Sequence, residues 1–278
     1  MILIDNSQVV IASLFHSLNQ TNEIDEDFVR HLVLNSYRFY RNKFKDKYGE
    51  LVICSDTGNY WRKDIFPYYK QNRKRSQENS NIDWRELFDG LKSITRELKE
   101  HFPYKFISVQ QAEADDIIAS LCMKYGETER IMIVSSDKDF QQLQRYSKVK
   151  QYSPSKKTFL LCEDPEEYLL EHTIRGDSSD GIPNVLSDDD AIINTEKRQA
   201  RMTKKKILEL KEGTLTTDEI EKNWKRNQML VDFKHIPEDI MDSVFDEYDK
   251  DPIGNRKGLL NYFIEHRLKN LMENIGEF

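Results

Sequence analysis

Residues 131–143 read IMIVSSDKDFQQL. Four apolar residues come first, two serines follow, and Asp137 and Asp139 stand one residue apart just beyond them. A short apolar run bounded by polar residues is the pattern of a strand buried on both faces. This one runs out, at its C-terminal end, onto two carboxylates that repel each other. Such a pair needs solvent, a cation or a proton, and the rest of the chain has to say which.

Three other segments are of the same kind: ILI at 2–4, LVICS at 51–55 and KFISV at 105–109, with IMIVSS at 131–136 as the fourth. Amphipathic stretches at 7–19, about 26–46, 83–101 and 113–125 separate them, which is the alternation of βαβ units and a parallel sheet. Asn81 or Asp83 can cap the third of these helices. Beyond 140, VKQYS (149–153) and TFLLC (158–162) flank PSKK and predict a hairpin. DPEEYLLEHTI (164–174) predicts a helix capped by Asp164 with Pro165 in its first turn. From about 177 the strand signal disappears and helical segments with loops run to residue 278. The chain contains no internal repeat. The expected fold class is α/β, a central mostly parallel sheet flanked by helices over 1–176, followed by a helical C-terminal region over 177–278.

With 278 residues the chain can form one large domain or two modest ones. Ten glycines and seven prolines argue against long flexible linkers, and no apolar run approaches the ~20 residues of a membrane span. The start MILIDNSQ lacks the basic residues and apolar stretch of a signal peptide, so a cytoplasmic protein is expected. Cys54, Cys122 and Cys162 are odd in number and unclustered, which fits reduced thiols better than disulfides or zinc ligands. The net charge of −7 speaks against a nucleic-acid partner only if charge is spread evenly, and it is not. RKDIFPYYKQNRKR (62–75) holds six Lys/Arg against one Asp, with Phe66, Tyr68 and Tyr69 interleaved. The polar run SQENSN (76–81) that follows has the composition of a mobile loop. EKRQARMTKKKILELK (196–211) holds seven Lys/Arg against two Glu. An acidic chain has gathered its positive charge into two patches.

Asp137 is not alone at a strand end: the first strand runs into Asp5 and the second into Asp56. In a parallel sheet all such ends lie on one edge, where open α/β sheets bind their ligands. EADD (113–116) adds Glu113, Asp115 and Asp116 at a predicted helix N-terminus, which tolerates negative charge. GDSSDGIPNV (176–185) adds Asp177 and Asp180. Taken singly, EADD reads as a solvated helix start and SDKD as a cap with a neighbour, for acids are common in this chain. The repetition of aspartate at strand ends shifts the reading to a metal site. All-oxygen ligands suit Mg²⁺ or Mn²⁺, and two metals about 4 Å apart can drive phosphodiester hydrolysis. Crowding of this kind also predicts that removing charge at Asp137 or Asp180 stabilises the metal-free chain.

The combination LIDNSQ, ICSDTGNYWRK, YYKQNRKR, AEADDIIA, VSSDKDF and GDSSDGIPNV resembles the 5′ nuclease (flap endonuclease) family, most closely its bacteriophage members. The resemblance implies a PIN-like α/β nuclease core with a helical arch or disordered bridge, here at about 62–82. It also implies a helix–turn–helix DNA-binding motif in the C-terminal region. It assigns a first metal site to Asp5, Asp56, Glu113 and Asp115. A second falls to Asp137, Asp139 and Asp180, with Asp115 shared and Asp116 and Asp177 acting through water. Lys70 matches the family lysine at the base of the arch and Arg73 the basic residue one turn on; both would act on the scissile phosphate. For Lys70 the alternative is a lysine stem lying along Tyr68 and Tyr69. Arg62, Lys63, Lys74, Arg75, Lys204, Lys205 and Lys206 would contact DNA, and residues 71–81 would be poorly ordered without it. The family's glycine-rich turn after GDxxDGIPNV is missing, since no glycine stands between Gly181 and Gly213, so the helix–turn–helix is degenerate.

The implied activity is a Mg²⁺-dependent 5′→3′ exonuclease and flap endonuclease, with two metals per active site and Mn²⁺ as a substitute. It would act, as a monomer, on DNA and RNA·DNA duplexes with free 5′ ends, flaps or forks, removing RNA primers during lagging-strand replication. A non-catalytic DNA-junction binder of the same fold would show gaps in the acidic set, and a PIN-type ribonuclease would lack GDSSDGIPNV. The ending LMENIGEF reads as a packed last helix rather than a tether to a sliding clamp or single-strand-binding protein.

Overall fold

The computed structural model of the chain describes residues 1–21, 25–78 and 83–278. In chain order the elements are β1 (Ile2–Asp5), α1 (Asn6–Thr21), α2 (Glu26–Tyr48), β2 (Leu51–Cys54), α3 (Trp61–Ile65) and α4 (Gln71–Glu78). Then come α5 (Trp84–His101), β3 (Lys105–Ile107), α6 (Ala114–Tyr125), β4 (Ile131–Val134), a 3₁₀ segment (Asp139–Arg145), β5 (Val149–Ser153) and β6 (Thr158–Leu160). Six helices complete the chain: α7 (Pro165–Arg175), α8 (Lys204–Lys211), α9 (Asp218–Val231), α10 (Glu238–Asp249), α11 (Arg256–Glu265) and α12 (Lys269–Met272).

The four predicted strands, the hairpin and the capped helix all form. Asp164 accepts from Glu167 N in front of α7, and Asp83, rather than Asn81, which lies outside the described residues, caps α5. The sheet order is β3-β2-β1-β4-β5-β6, parallel except for β6, which returns antiparallel to β5. β1 is central, with β2 on one side and β4 on the other. That reversal of strand order leaves a crevice at the C-terminal ends of β1 and β4. Every residue of β1, β2 and β4 is buried, as continuous apolar runs require when both faces are covered. At roughly 1.5–3 kcal/mol per buried Leu, Ile or Val side chain, this layer is a large apolar contribution to its unit. β4 ends two residues before the predicted Ser136, because Ser136 N leaves the ladder to donate to Gln8 Oε1 (2.6 Å).

Two compact units emerge: Met1–Gly58, Asp83–Leu161 and Glu238–Phe278 make the first, and Asn59–Ile82 with Cys162–Pro237 the second. They interleave along the chain, unlike the division at 176/177. In the first unit α10 packs on α6 and β3, and Lys105 Nζ donates to the Tyr248 and Lys250 carbonyls. Phe278 is fully buried against Phe102 and Phe263, so the closing residues are packed as expected. In the second unit Phe66 and Tyr69 form a core with Ile182, Leu230 and Val231, and Tyr68 lies against it. The aromatic residues of the basic patch are therefore core, and the patch belongs with the helical region.

Two expectations for the second unit change. Residues 71–78 are helical, not loop; 79–81 lie outside the described residues. Between Gly176 and Thr203 the chain makes turns and one isolated bridge, Asp177–Ile182, but no helix, so the first half of a helix–turn–helix does not form there. Asn184 explains part of this: its Oδ1 accepts from Leu186 N and Ser187 Oγ, and its Nδ2 donates to Ala200 O. Side chains bonded locally to backbone compete with helix formation. No helix among the described residues is long and apolar enough to cross a membrane, and all three cysteines are free thiols.

Candidate active site

β1 passes into α1 without a loop, so Asp5 ends the strand and caps the helix: its Oδ1 accepts from Gln8 N at 3.1 Å. Gln8 in turn accepts from Ser136 N, tying the end of β1 to the end of β4 one residue before Asp137. Asp56 lies two residues past β2 and accepts from Ser7 Oγ (2.5 Å) and from Ala114 N (2.7 Å), the first residue of α6. That second bond brings the Glu113–Asp116 group to the end of β2. Burial, and then the charges of Asp5, Cys122, Asp115 and Asp56, push the Cys54 thiol well up.

Glu113 is 2% exposed and directly precedes α6, while Asp115 is half-buried in its first turn. Asp116 does not present itself to a surface cation: it is fully buried, and its Oδ2 accepts from Glu113 N at 3.0 Å, fixing the position of Glu113. Asp137 Oδ1 accepts from Asp139 N (2.9 Å), and Asp137 N donates to Ser135 Oγ (3.1 Å). The pair is thus a local cap, as the plain reading has it, and both carboxylates also stand at the sheet edge. The first unit carries Asp5, Asp56, Glu113, Asp115, Asp137 and Asp139 at or next to the C-terminal ends of its parallel strands. The partners just named for Asp5, Asp56 and Asp137 are N–H groups and a hydroxyl. An all-carboxylate set fits a hard divalent cation by the chemistry of its donors.

In the second unit Asp177 and Asp180 serve the 176–182 loop. Asp177 Oδ1 accepts from Ser179 N (2.7 Å) and Ser179 Oγ (2.6 Å), and His172 Nε2 lies 3.8 Å from its other oxygen. Gly181 has φ +75°, and a Cβ there would sit 3.0 Å from the Tyr68 carbonyl, so a side chain would be strained and would crowd the 66–70 turn. Lys70, at φ +58°, donates its N–H to the Asp180 carbonyl (2.7 Å), and this bond holds it in the left-handed region. Its Nζ lies 3.5 Å from Asp180 Oδ2, and 5.0 Å from the Tyr69 ring centroid. Arg73 binds Asp180 Oδ1 directly, and Tyr69 Oη donates to Oδ2 (3.0 Å). Burial works to raise the Asp180 carboxyl, but the charges of Lys70 and Arg73 and the bonds from Tyr69 and Arg73 outweigh it and hold it below the usual carboxylate range. Within its unit Asp180 is an ion-paired carboxylate, and Lys70 is both ion-paired and stacked.

Of the predicted DNA contacts, Arg62 is the exception. It is 2% exposed, donates to Leu230 O (2.9 Å) and lies over the Trp61 ring, so it holds the second unit together instead of facing phosphate. Lys63, Lys74 and Arg75 are exposed, the last two on α4. Lys204 and Lys205 are exposed and Lys206 half-buried in the first turn of α8, where a helix N-terminus disfavours positive charge unless an anion is near. Sequence reasoning missed Ser7, Gln8 and Tyr69. The D-x-x-Q spacing of Asp5 and Gln8 is a capping signature that could have flagged Gln8; nothing local marks Tyr69.

The profile of the 5′-3′ exonuclease N-terminal, resolvase-like domain matches residues 1–169, and that of the T4 RNase H C-terminal domain matches 164–278. The chain belongs to the 5′-3′ exonuclease family. Ribonuclease H of enterobacteria phage T4 is 32% identical, over 99% of this chain and 95% of its own length. Flap endonuclease Xni of Shewanella pealeana is 35% identical over 48% of this chain and 52% of its own. A bacteriophage T5 flap endonuclease, solved as a pseudo-enzyme–product complex with DNA and metal ions, superposes with a TM-score of 0.66. It is 17% identical, covering 89% of this chain and 97% of that one. The T5 5′-exonuclease with bound zinc gives 0.63 at 18% identity, covering 90% and 98%. The relatives are nucleases, and this family member is a metal-dependent nuclease.

Proposed function

We propose that the chain is a Mg²⁺-dependent 5′→3′ exonuclease and 5′-flap endonuclease. Its substrates are RNA·DNA and DNA duplexes with free 5′ ends, and its task is removing RNA primers and adjacent DNA during lagging-strand synthesis. The observation that carries the reading is the joining of three strand ends by Asp5–Gln8–Ser136 and Ser7–Asp56–Ala114, which gathers carboxylates from distant segments at one sheet edge. Asp5, Asp56, Glu113 and Asp115 would hold one cation, and Asp137 and Asp139 would contribute to a second. Two such ions supply a nucleophilic water at neutral pH and positive charge for the departing oxygen. The chain's own part is to keep the carboxylates ionised and fixed. Lys63, Lys74, Arg75, Lys204 and Lys205 supply phosphate contacts. Lys70 and Arg73, held by Asp180 without substrate, offset charge on the scissile phosphate. A clamp or single-strand-binding partner would need a surface other than the packed residues around Phe278.

A time course on 5′-labelled flap and RNA·DNA duplexes, in Mg²⁺ and then in EDTA, tests this. Short 5′ products in Mg²⁺ and none in EDTA are expected, with binding retained in Ca²⁺. Tight binding without cleavage in Mg²⁺ would make the chain a junction-binding protein instead.

A further inference from the structure

Beside the carboxylate edge, within the first unit, lies an open cavity of about 650 Å³. It falls within the ~300–1,000 Å³ range of small-molecule sites. Two of its wall residues, Gln8 and Ser136, are the pair that ties the ends of β1 and β4 together. A ligand in the cavity is thus one residue from both Asp137 and the Asp5–Gln8 cap.

The lining is selective in charge. None of the residues lining the cavity is acidic, in a chain with 49 Asp and Glu, so it is built for a neutral or anionic group rather than a cation. Val9, Ala12 and Leu32 provide apolar surface, and Tyr40 a flat ring whose phenol is pushed up to about 12 by burial and then Tyr152. On the rim Ser136 Oγ lies 2.8 Å from both Ser153 Oγ and Ser155 Oγ, and those two are 3.2 Å apart. Hydroxyls donate and accept, which matches sugar hydroxyls and phosphate oxygens. Lys157, on the same turn, adds a positive charge.

We propose that this cavity is the subsite for the 5′-terminal nucleotide of a duplex strand in exonucleolytic cutting. Its base lies against Val9, Ala12, Leu32 and Tyr40, and its sugar and phosphate face the serine rim and Lys157. Gln8 is the positioning residue that sets the reach from this nucleotide to the carboxylates. The inference rests on the nuclease reading above, and its tests are separable from that reading.

The cavity can be filled from an exposed position by Ala12→Trp, with Leu32→Trp as a second variant should the first fail to fold. Kinetics on duplexes carrying a normal or an abasic 5′-terminal nucleotide give one readout. Loss of the base should raise KM about tenfold in the unsubstituted chain, as expected for one stacked base. It should have little further effect in Ala12→Trp, whose KM is already raised. Saturation-transfer NMR with dTMP in Ca²⁺ gives the other: dTMP should contact α1 methyl groups, weaken about tenfold in the variant, and not be displaced by equimolar inorganic phosphate. Indifference to the terminal base, or unaltered KM in both variants, overturns the subsite while leaving the nuclease intact. If no substrate is cleaved, the nuclease reading fails, and dTMP binding alone decides whether the cavity takes a nucleotide.

Discussion

The carboxylates at the sheet edge of the first unit and Asp180 in the second are all acids drawn from family motifs, yet their surroundings differ. Asp5, Asp56 and Asp137 are held by backbone N–H groups and a serine hydroxyl. Asp180 is held by an ammonium, a guanidinium and a phenol. Dipolar partners fix a carboxylate and leave its charge in the field; cationic partners cancel it. The first arrangement is one that a divalent ion would suit, and the second already carries its countercharges. Charge in the sequence looks the same in both places; the partner decides its sign in the stability balance.

The comparison breaks most visibly in catalysis. Asp5→Asn keeps a capping acceptor for Gln8 N but removes a ligand charge. Turnover should fall on the order of 10³-fold, beyond the ~10–100-fold typical of an outer-shell partner, with duplex binding in Ca²⁺ retained. Single-turnover cleavage together with anisotropy checks both halves, and full activity would remove Asp5 from the metal set.

Metal linkage comes next. Mg²⁺ should stabilise the chain by ~2.7 kcal/mol at about 100 times Kd, and Asp5→Asn should lose most of that gain. A melting temperature insensitive to Mg²⁺ would mean the carboxylates do not share an ion.

The same substitution should have opposite signs in the two units. Asp137→Asn should stabilise the metal-free chain slightly. Asp180→Asn should destabilise it by about 2 kcal/mol, below the ~3–5 kcal/mol for breaking a fully buried pair, because the Arg73 side chain is 51% exposed and solvent-screened. This replaces the expectation that charge removal at Asp180 stabilises. The sign in pH follows from its depressed carboxyl: the contribution is full above the unfolded carboxylate range near ~3.9 and is lost as pH falls through the lower folded value. Acid melts of the two proteins should therefore converge at low pH; a gap that persists there assigns the loss to packing.

The smallest effect concerns surface charge. Replacing exposed Lys74 and Arg75 with Ala should flatten the log–log salt dependence of binding, by about 0.9 per duplex phosphate lost or ~0.7 per single-strand phosphate. Arg62→Ala should leave the slope unchanged and lower the melting temperature, since its guanidinium donates to the Leu230 carbonyl. A changed slope for Arg62→Ala with unchanged stability would restore it to the DNA path.

Much of this was legible before any coordinates. The strands, the hairpin and the capped α7 follow from periods of two and 3.6 and from local caps, which depend on near neighbours only. The placing of Asp5, Asp56 and Asp137 at one sheet edge was legible because parallel strands send all their ends there. The roles of individual side chains were less so. EADD looks like three equivalent acids, yet Asp116 is turned inward to hold Glu113 N while Asp115 stays half-exposed. RKDIFPYYKQNRKR looks like one basic surface, yet Arg62, Phe66 and Tyr69 are interior.

By itself the sequence determined the α/β class and the family, and named the acids proposed for a metal centre, because these rest on pattern and spacing. Only the tertiary structure decided that residues 238–278 rejoin the sheet unit, that the 62–75 segment packs with the helical region, and that Asp180 faces Lys70 and Arg73. Those outcomes depend on contacts between residues more than 100 positions apart, such as Tyr69 Oη with Asp180 and Arg62 Nε with Leu230. Periodicity carries no information about which distant partner a buried polar group will find, and burial makes that partner the determinant of its charge state.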